Sequence, residues 1–168
     1  NVTITITDNE SAPTVTLSRG AAAIDEDSGS TVTITATLSV ATFQDVTVTI
    51  DGTGGTGTEG TDFGTVSNIT ISAGSTTGTA AVDPTDDNVY EGDETAGISI
   101  SGVSGGGATE SGSQSVTVTI TEDESAPAVT LTISDTSIAE NAGSTLTLTA
   151  TLSQVADEDV TVAIGTSG

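Results

Sequence analysis

Val, Ile and Leu alternate with Thr and Ser along most of this chain, and that alternation locates its elements. A period of two puts successive side chains on opposite faces of an extended strand. Seven such runs fall within residues 11–124. They are 14–18 with a continuation near 22–24, then 31–38, 45–50, 65–71, 76–82, 95–101 and 115–121. Clusters of Gly, Ser and Asp punctuate them: Asp27-Ser28-Gly29, the glycine-rich stretch 51–60, Ser72-Ala73-Gly74-Ser75, and residues 102–112. Such clusters supply the turns between strands. No segment carries a helical period. The number and rhythm of the strands predict an all-β fold, an immunoglobulin-like seven-stranded antiparallel β-sandwich.

The pattern also repeats. Ile6-Thr7-Asp8-Asn9-Glu10-Ser11-Ala12-Pro13 returns as Ile120-Thr121-Glu122-Asp123-Glu124-Ser125-Ala126-Pro127, a shift of 114 residues (120 − 6). Residues 28–39 return at 141–153 with their Gly-Ser-Thr in the same register, and 45–50 return at 159–164. One register over three separate blocks predicts tandem repeats. Residues 1–10 read as the last strand of a preceding repeat, 11–124 as a complete domain, and 125–168 as the first strands of a following repeat. The two partial pieces lack counterparts of about 55–114, so together they cannot build a sandwich. The expectation is a window on a longer array; strand exchange between neighbouring copies is the alternative.

Composition narrows the chemistry. The 168 residues carry a formal net charge of −23, with Arg19 the one basic residue and no His, Cys or Met. A polyanion is a poor partner for nucleic acid or an anionic membrane. No apolar run approaches the roughly 20 residues of a membrane span, so direct membrane insertion is not expected. Without His, Cys or Lys there is no ordinary base or nucleophile, and three aromatics (Phe43, Phe63, Tyr90) cannot line a carbohydrate cleft. An enzyme is not expected. Hydrophobic content of 33% with this charge would ordinarily read as disorder. The strict alternation, and charge gathered between strands rather than along them, argue for a folded protein with a thin Val/Ile/Leu core. Bound metal could then supply part of the folding energy.

The charge is not scattered. Asp86-Asp87-Asn88-Val89-Tyr90-Glu91-Gly92-Asp93-Glu94 packs five carboxylates between two strands. At about 4 Å a like-charge pair costs roughly 1 kcal/mol in water and about 4 at the effective dielectric of a protein surface. Traced up and down through the strands, this stretch shares one end of the sandwich with three other segments. These hold Asp25, Glu26 and Asp27; Asp51, Glu59 and Asp62; and Glu122, Asp123 and Glu124. The opposite end has only Asp45 and Glu110. Oxygen donors without His or Cys select a hard cation, above all Ca2+, which takes six to eight oxygens from several loops. The competing reading is a solvated acidic coat of the halophile kind.

These residues resemble the Calx-beta domain family. Asp86 to Glu94 is similar to its D-D-x-x-[FY]-E-x-D-E signature, and the strand closing on Glu122-Asp123-Glu124 to its strand ending in an acidic triplet. Asp51-Gly52-Thr53 with Thr61-Asp62-Phe63 looks like a further family segment. The resemblance implies calcium ligands at Glu26, Asp51, Asp86, Asp87, Glu91, Glu94, Glu122, Asp123 and Glu124. Asp62, Asp83 and Asp93 read instead as loop-turning residues. The function implied is a calcium-stiffened structural extender of a large bacterial cell-surface or secreted adhesin or filament protein, hence extracellular. Its partners would be neighbouring repeats of the same chain, or identical chains head to tail, with an unspecified adhesive target. The alternative is a calcium-sensing module that changes order on ion binding and signals to a neighbouring domain. A carbohydrate- or ligand-binding module would need an aromatic platform that the chain lacks.

Overall fold

A computed structural model describes residues 1–5, 7, 9–141 and 143–166. Its strands in chain order are β1 (Thr14–Arg19), β2 (Ala23–Asp25), β3 (Val32–Leu38), β4 (Val46–Gly55), β5 (Ile69–Ile71), β6 (Thr77–Val82), β7 (Glu94–Ser104), β8 (Thr109–Glu110), β9 (Ser115–Thr121), β10 (Val129–Ile133) and β11 (Leu148–Leu152). Two sheets, β6-β3-β1-β8 and β2-β9-β7-β4-β5, face one another, and β10 with β11 forms a separate pair. The inward positions of the alternating runs make the core. Val15, Ile34, Val46, Val48, Ile69, Ile71, Ile98 and Val118 are fully buried there, with Thr and Ser on the outer faces. The fold is thus the all-β sandwich that the period-two pattern predicts.

Three departures from the strand pattern place the acids. The first predicted run divides between the sheets: β1 pairs antiparallel with β3, while β2 crosses over to pair parallel with β9, Asp25 opposite Thr121. The next is β4, which runs on to Gly55 rather than stopping at Ile50, through irregular register against β7. Gly54 and Gly97 make this possible, since a Cβ on Gly97 would lie 2.4 Å from the Gly54 carbonyl carbon. The third is the connection from β4 to β5. It is tied down by Phe63, fully buried in the core and bridged to Pro84 and Glu59.

The 125–166 segment repeats the local geometry of 11–52 at the β1–β3 pair. Val129 opposes Leu152 and Ile133 opposes Leu148, each 114 residues on from Val15 opposite Leu38 and Arg19 opposite Ile34. Residues 1–5, 7, 9 and 10 form no strand. Ile6 and Asp8 of the first repeated block lie outside the described residues, as does Ala142 of the block at 141–153.

Candidate metal centre

The acids meet because of which strands pair. β2 ends beside the end of β9, so the 3-10 turn of Glu26–Ser28 lies against Glu122-Asp123-Glu124. The Thr121 hydroxyl ties this corner through Asp25 Oδ1 at 2.8 Å. β7 begins beside the end of β9, Glu94 opposite Ile120, which brings the stretch ahead of β7 to the same place. Burial of Phe63 delivers its neighbour Asp62, whose carboxylate accepts the Thr58 N–H at 2.5 Å and whose carbonyl accepts the Thr85 N–H at 2.9 Å.

Two groups of carboxylates result. Glu26, Glu122, Asp123 and Glu124 each offer an oxygen within 4.8 Å of the others, and Asp62, Glu91 and Glu94 form a second such group. Glu122 joins them: its Oε2 accepts the N–H groups of Glu91 and Gly92 at 2.5 and 2.6 Å, and its Oε1 that of Glu124 at 3.0 Å. Asp87 flanks both, its N–H donating to Glu26 and its charge bearing on Glu26 and Glu91.

The electrostatics are those of acids crowded without a countercharge. Glu26 is only 7% exposed. Burial first, then Glu122 and Glu91, push its pKa up to about 7. Burial and Asp62 push Glu94 up to about 7, and burial with the charges of Asp62, Asp87, Asp157 and Glu122 raises Glu91. Burial acts to raise Glu122 as well, but the N–H groups of Glu91, Gly92 and Glu124 prevail and hold it below the ordinary value. Glu124 is pushed up to about 7, first by hydrogen bonding to Glu122, then by burial and Asp123. With both of those carboxyls ionised no such bond exists, and Oε2 of Glu124 is buried without a donor. A proton or a cation would satisfy it, and the donor set is all oxygen, the set that suits a hard divalent ion.

Seven acids thus gather, six of them in the set read from sequence. Asp62 reads from sequence as a loop-turning residue; the signal for its place at the tip is the adjacent Phe63, whose burial fixes the carboxylate there. Asp157, in the later segment, also bears on Glu91 and Glu94. Asp51 and Asp86 join neither group. Asp51 lies inside β4, where its carboxylate accepts the Thr53 N–H at 2.9 Å and hydroxyl at 2.6 Å, which lowers its pKa. Asp86 is exposed beside Asp87, whose Oδ1 accepts the Val89 N–H at 2.6 Å. At the far end, Asp45 and Glu110 hold the loop amides of Ala73 and Gln114.

Residues 12–124 match the model of the LapA domain family. The chain belongs to the LapA domain family. No curated protein matches it in sequence. The LapA domain here has the fold of the Calx calcium-binding domains. It is similar to the crystal structure of CBD12 from CALX1.2 (22% identity, TM-score 0.56, 66% of this chain and 44% of that one). It is also similar to CBD12 of CALX1.1, described as a calcium-binding domain (22%, 0.55, 69% and 49%). The apo-form Calx CBD1 domain is matched over almost its whole length (21%, 0.53, 66% and 99%). The chain therefore spans less than half of either CBD12 structure. The Calx-beta resemblance read from the acidic motifs is met at the level of fold, while the sequence family that matches is LapA.

Proposed function

We propose that this LapA domain chain is a non-enzymatic extender of a large cell-surface or secreted protein, stiffened by calcium at the acidic tip of residues 11–124. The observation that carries the reading is the convergence of Glu26, Asp62, Glu91, Glu94, Glu122, Asp123 and Glu124 where β9 hands the chain to residues 125–168. Ions held there would neutralise the raised carboxyls, give Glu124 Oε2 a partner, and pin the linker at Glu122-Asp123-Glu124. In this reading residues 11–124 are one complete repeat and 125–168 open the next, which the 114-residue shift between the β1–β3 and β10–β11 registers supports. Extracellular placement fits both the LapA family and the calcium requirement. No helix among the described residues is long and apolar enough to cross a membrane.

Thermal melts in calcium, magnesium and chelator test the reading. Calcium at about 100 times its dissociation constant adds roughly 2.7 kcal/mol per site, about 10 °C for a domain of this size. The expected result is a large rise with calcium, little with magnesium, and loss of part of the rise in Asp62→Asn and in Glu124→Gln. Equal small rises with both ions would leave the tip a solvated acidic surface and end the proposal.

A further inference from the structure

Among the described residues the later segment is hydrogen-bonded to residues 11–124 at Tyr90, and the matching surface at the other end of 11–124 is open. Tyr90, in the acidic stretch before β7, donates its N–H to the Val155 carbonyl at 3.2 Å and accepts the Asp157 N–H at 3.2 Å, a parallel bridge opposite Ala156. Pro127, Ala156 and Glu158 line the small cavity left beside it, about 210 Å3. Moved back by 114 residues, Pro127 and Gln154–Glu158 become Pro13, Val40, Ala41, Thr42, Phe43 and Gln44. Those six line a groove of about 820 Å3 at the end of the sandwich opposite the acids.

The groove carries the marks of an unfilled seat. Phe43 is 104% exposed and Val40 52%, in a chain with three aromatics in all. The Ala41 carbonyl and Phe43 N–H correspond to the two groups that bind Tyr90 at the other joint, and neither makes a hydrogen bond among the described residues. The floor is firm: Thr42 is buried, its hydroxyl donates to the Gln44 carbonyl at 2.5 Å, and its carbonyl accepts the Gly74 N–H at 2.8 Å.

We propose that the groove of Pro13 and Val40 to Gln44 seats the Tyr90 loop of a second copy of this domain placed ahead of Ser11, as the equivalent surface of residues 127 and 154–158 seats Tyr90 within this chain. The proposal rests on the tandem part of the extender reading and not on its calcium. It makes the two joints chemically unequal. Asp157 adds a carboxylate beside Glu91 and Glu94 at the downstream joint, whereas Phe43 adds an apolar ring at the upstream one. An exposed aromatic becomes the anchor there.

Amide exchange on a chain extended by a second copy of residues 11–124, its Glu124 taking the place of Glu10, tests the proposal. The Phe43 N–H should exchange at least about tenfold more slowly than in the 168-residue chain, as expected when an open amide gains a hydrogen bond. The Asp157 N–H should be protected in both. Phe43→Ser should loosen the upstream joint, read as a faster exchanging Ala41–Gln44 segment, and leave Asp157 unchanged. If Asp157 is protected and Phe43 exchanges freely in the extended chain, the groove is not a seat, whatever calcium does to the melt. If neither is protected, the Tyr90 contact does not persist in solution and the proposal falls. A calcium-dependent melt without Phe43 protection would keep the extender reading and discard the docking surface.

Discussion

Residues 14–38 and residues 128–152 carry the same strand pair, and only one of the two is covered. Val15 opposes Leu38 in the first and Val129 opposes Leu152 in the second, with every partner 114 residues on. Even the end contacts match. Ser39 Oγ accepts the Thr14 N–H at 3.0 Å, and Ser153 Oγ accepts the Ala128 N–H at 2.8 Å. Yet Val15 and Ile34 are fully buried, while their counterparts Val129 and Leu148 are 43% and 44% exposed. Register is therefore a local property, set by alternation and turn chemistry. Burial is not local: it needs the second sheet, which faces β1 and β3 as β9, β7, β4 and β5 and does not face β10 and β11 among the described residues.

The largest expected effect breaks the comparison at its core. Ile34→Ala removes a fully buried side chain and should cost about 2–5 kcal/mol in urea unfolding. Its counterpart Leu148→Ala should change stability by no more than about 0.5 kcal/mol, as at other exposed sites. Equal costs would mean that β10 and β11 are covered in solution.

The same contrast explains what was legible beforehand. Each of the seven predicted runs contains a strand, because alternation is a signal that burial on one face writes directly into sequence, but the run at 65–71 is a strand only over Ile69–Ile71. The continuation of β4 to Gly55 was not legible, since Gly52, Gly54 and Gly55 have no side chains to alternate; that continuation leaves Asp51 within a strand. The crossover of β2 to the second sheet was not legible either, because partner choice depends on the path of β9. At the tip, segment order alone showed that four acidic stretches share one end. Which carboxylates point together depended on Phe63 for Asp62 and on the β2–β9 pairing for Glu26. Asp157 belongs to a different segment, so no reading of one unit could supply it.

A smaller effect sharpens the comparison at the acids. Glu26 is buried because β2 lies against β9, while Glu140, 114 residues on, is exposed. The Glu26 pKa is raised from 4.5 to about 7 in the folded protein. A raised carboxyl binds its proton more tightly when folded, so its contribution is fully present below about 4.5 and is lost as pH rises through about 7. The ion-free protein should thus melt progressively lower between those values. Glu26→Gln, which cannot ionise, should melt a few degrees above the parent at pH 8 in chelator and level with it at pH 4.5. Glu140→Gln should match the parent at both. In calcium the order should invert, because the ionised Glu26 then has a cation to face. A Glu26→Gln melt that tracks the parent at every pH would mean that this carboxyl is solvated.

The smallest effect lies in the two serines that close the strand pairs. Each hydroxyl accepts one backbone N–H near solvent, a bond worth about 0.5 kcal/mol, at the low end for a hydrogen bond whose donor water can reach. Ser39→Ala acts on a pair locked into the cooperative core, so its cost should appear in the global melt. Ser153→Ala acts on a pair whose opening uncovers little apolar surface that is not already exposed, so it should leave the melt unchanged. Its effect should appear only as several-fold faster exchange of the Ala128 amide, through local opening. If Ser153→Ala instead lowers the global melt as Ser39→Ala does, then β10 and β11 unfold together with residues 12–124. The joint at Tyr90 would then transmit stability as well as orientation.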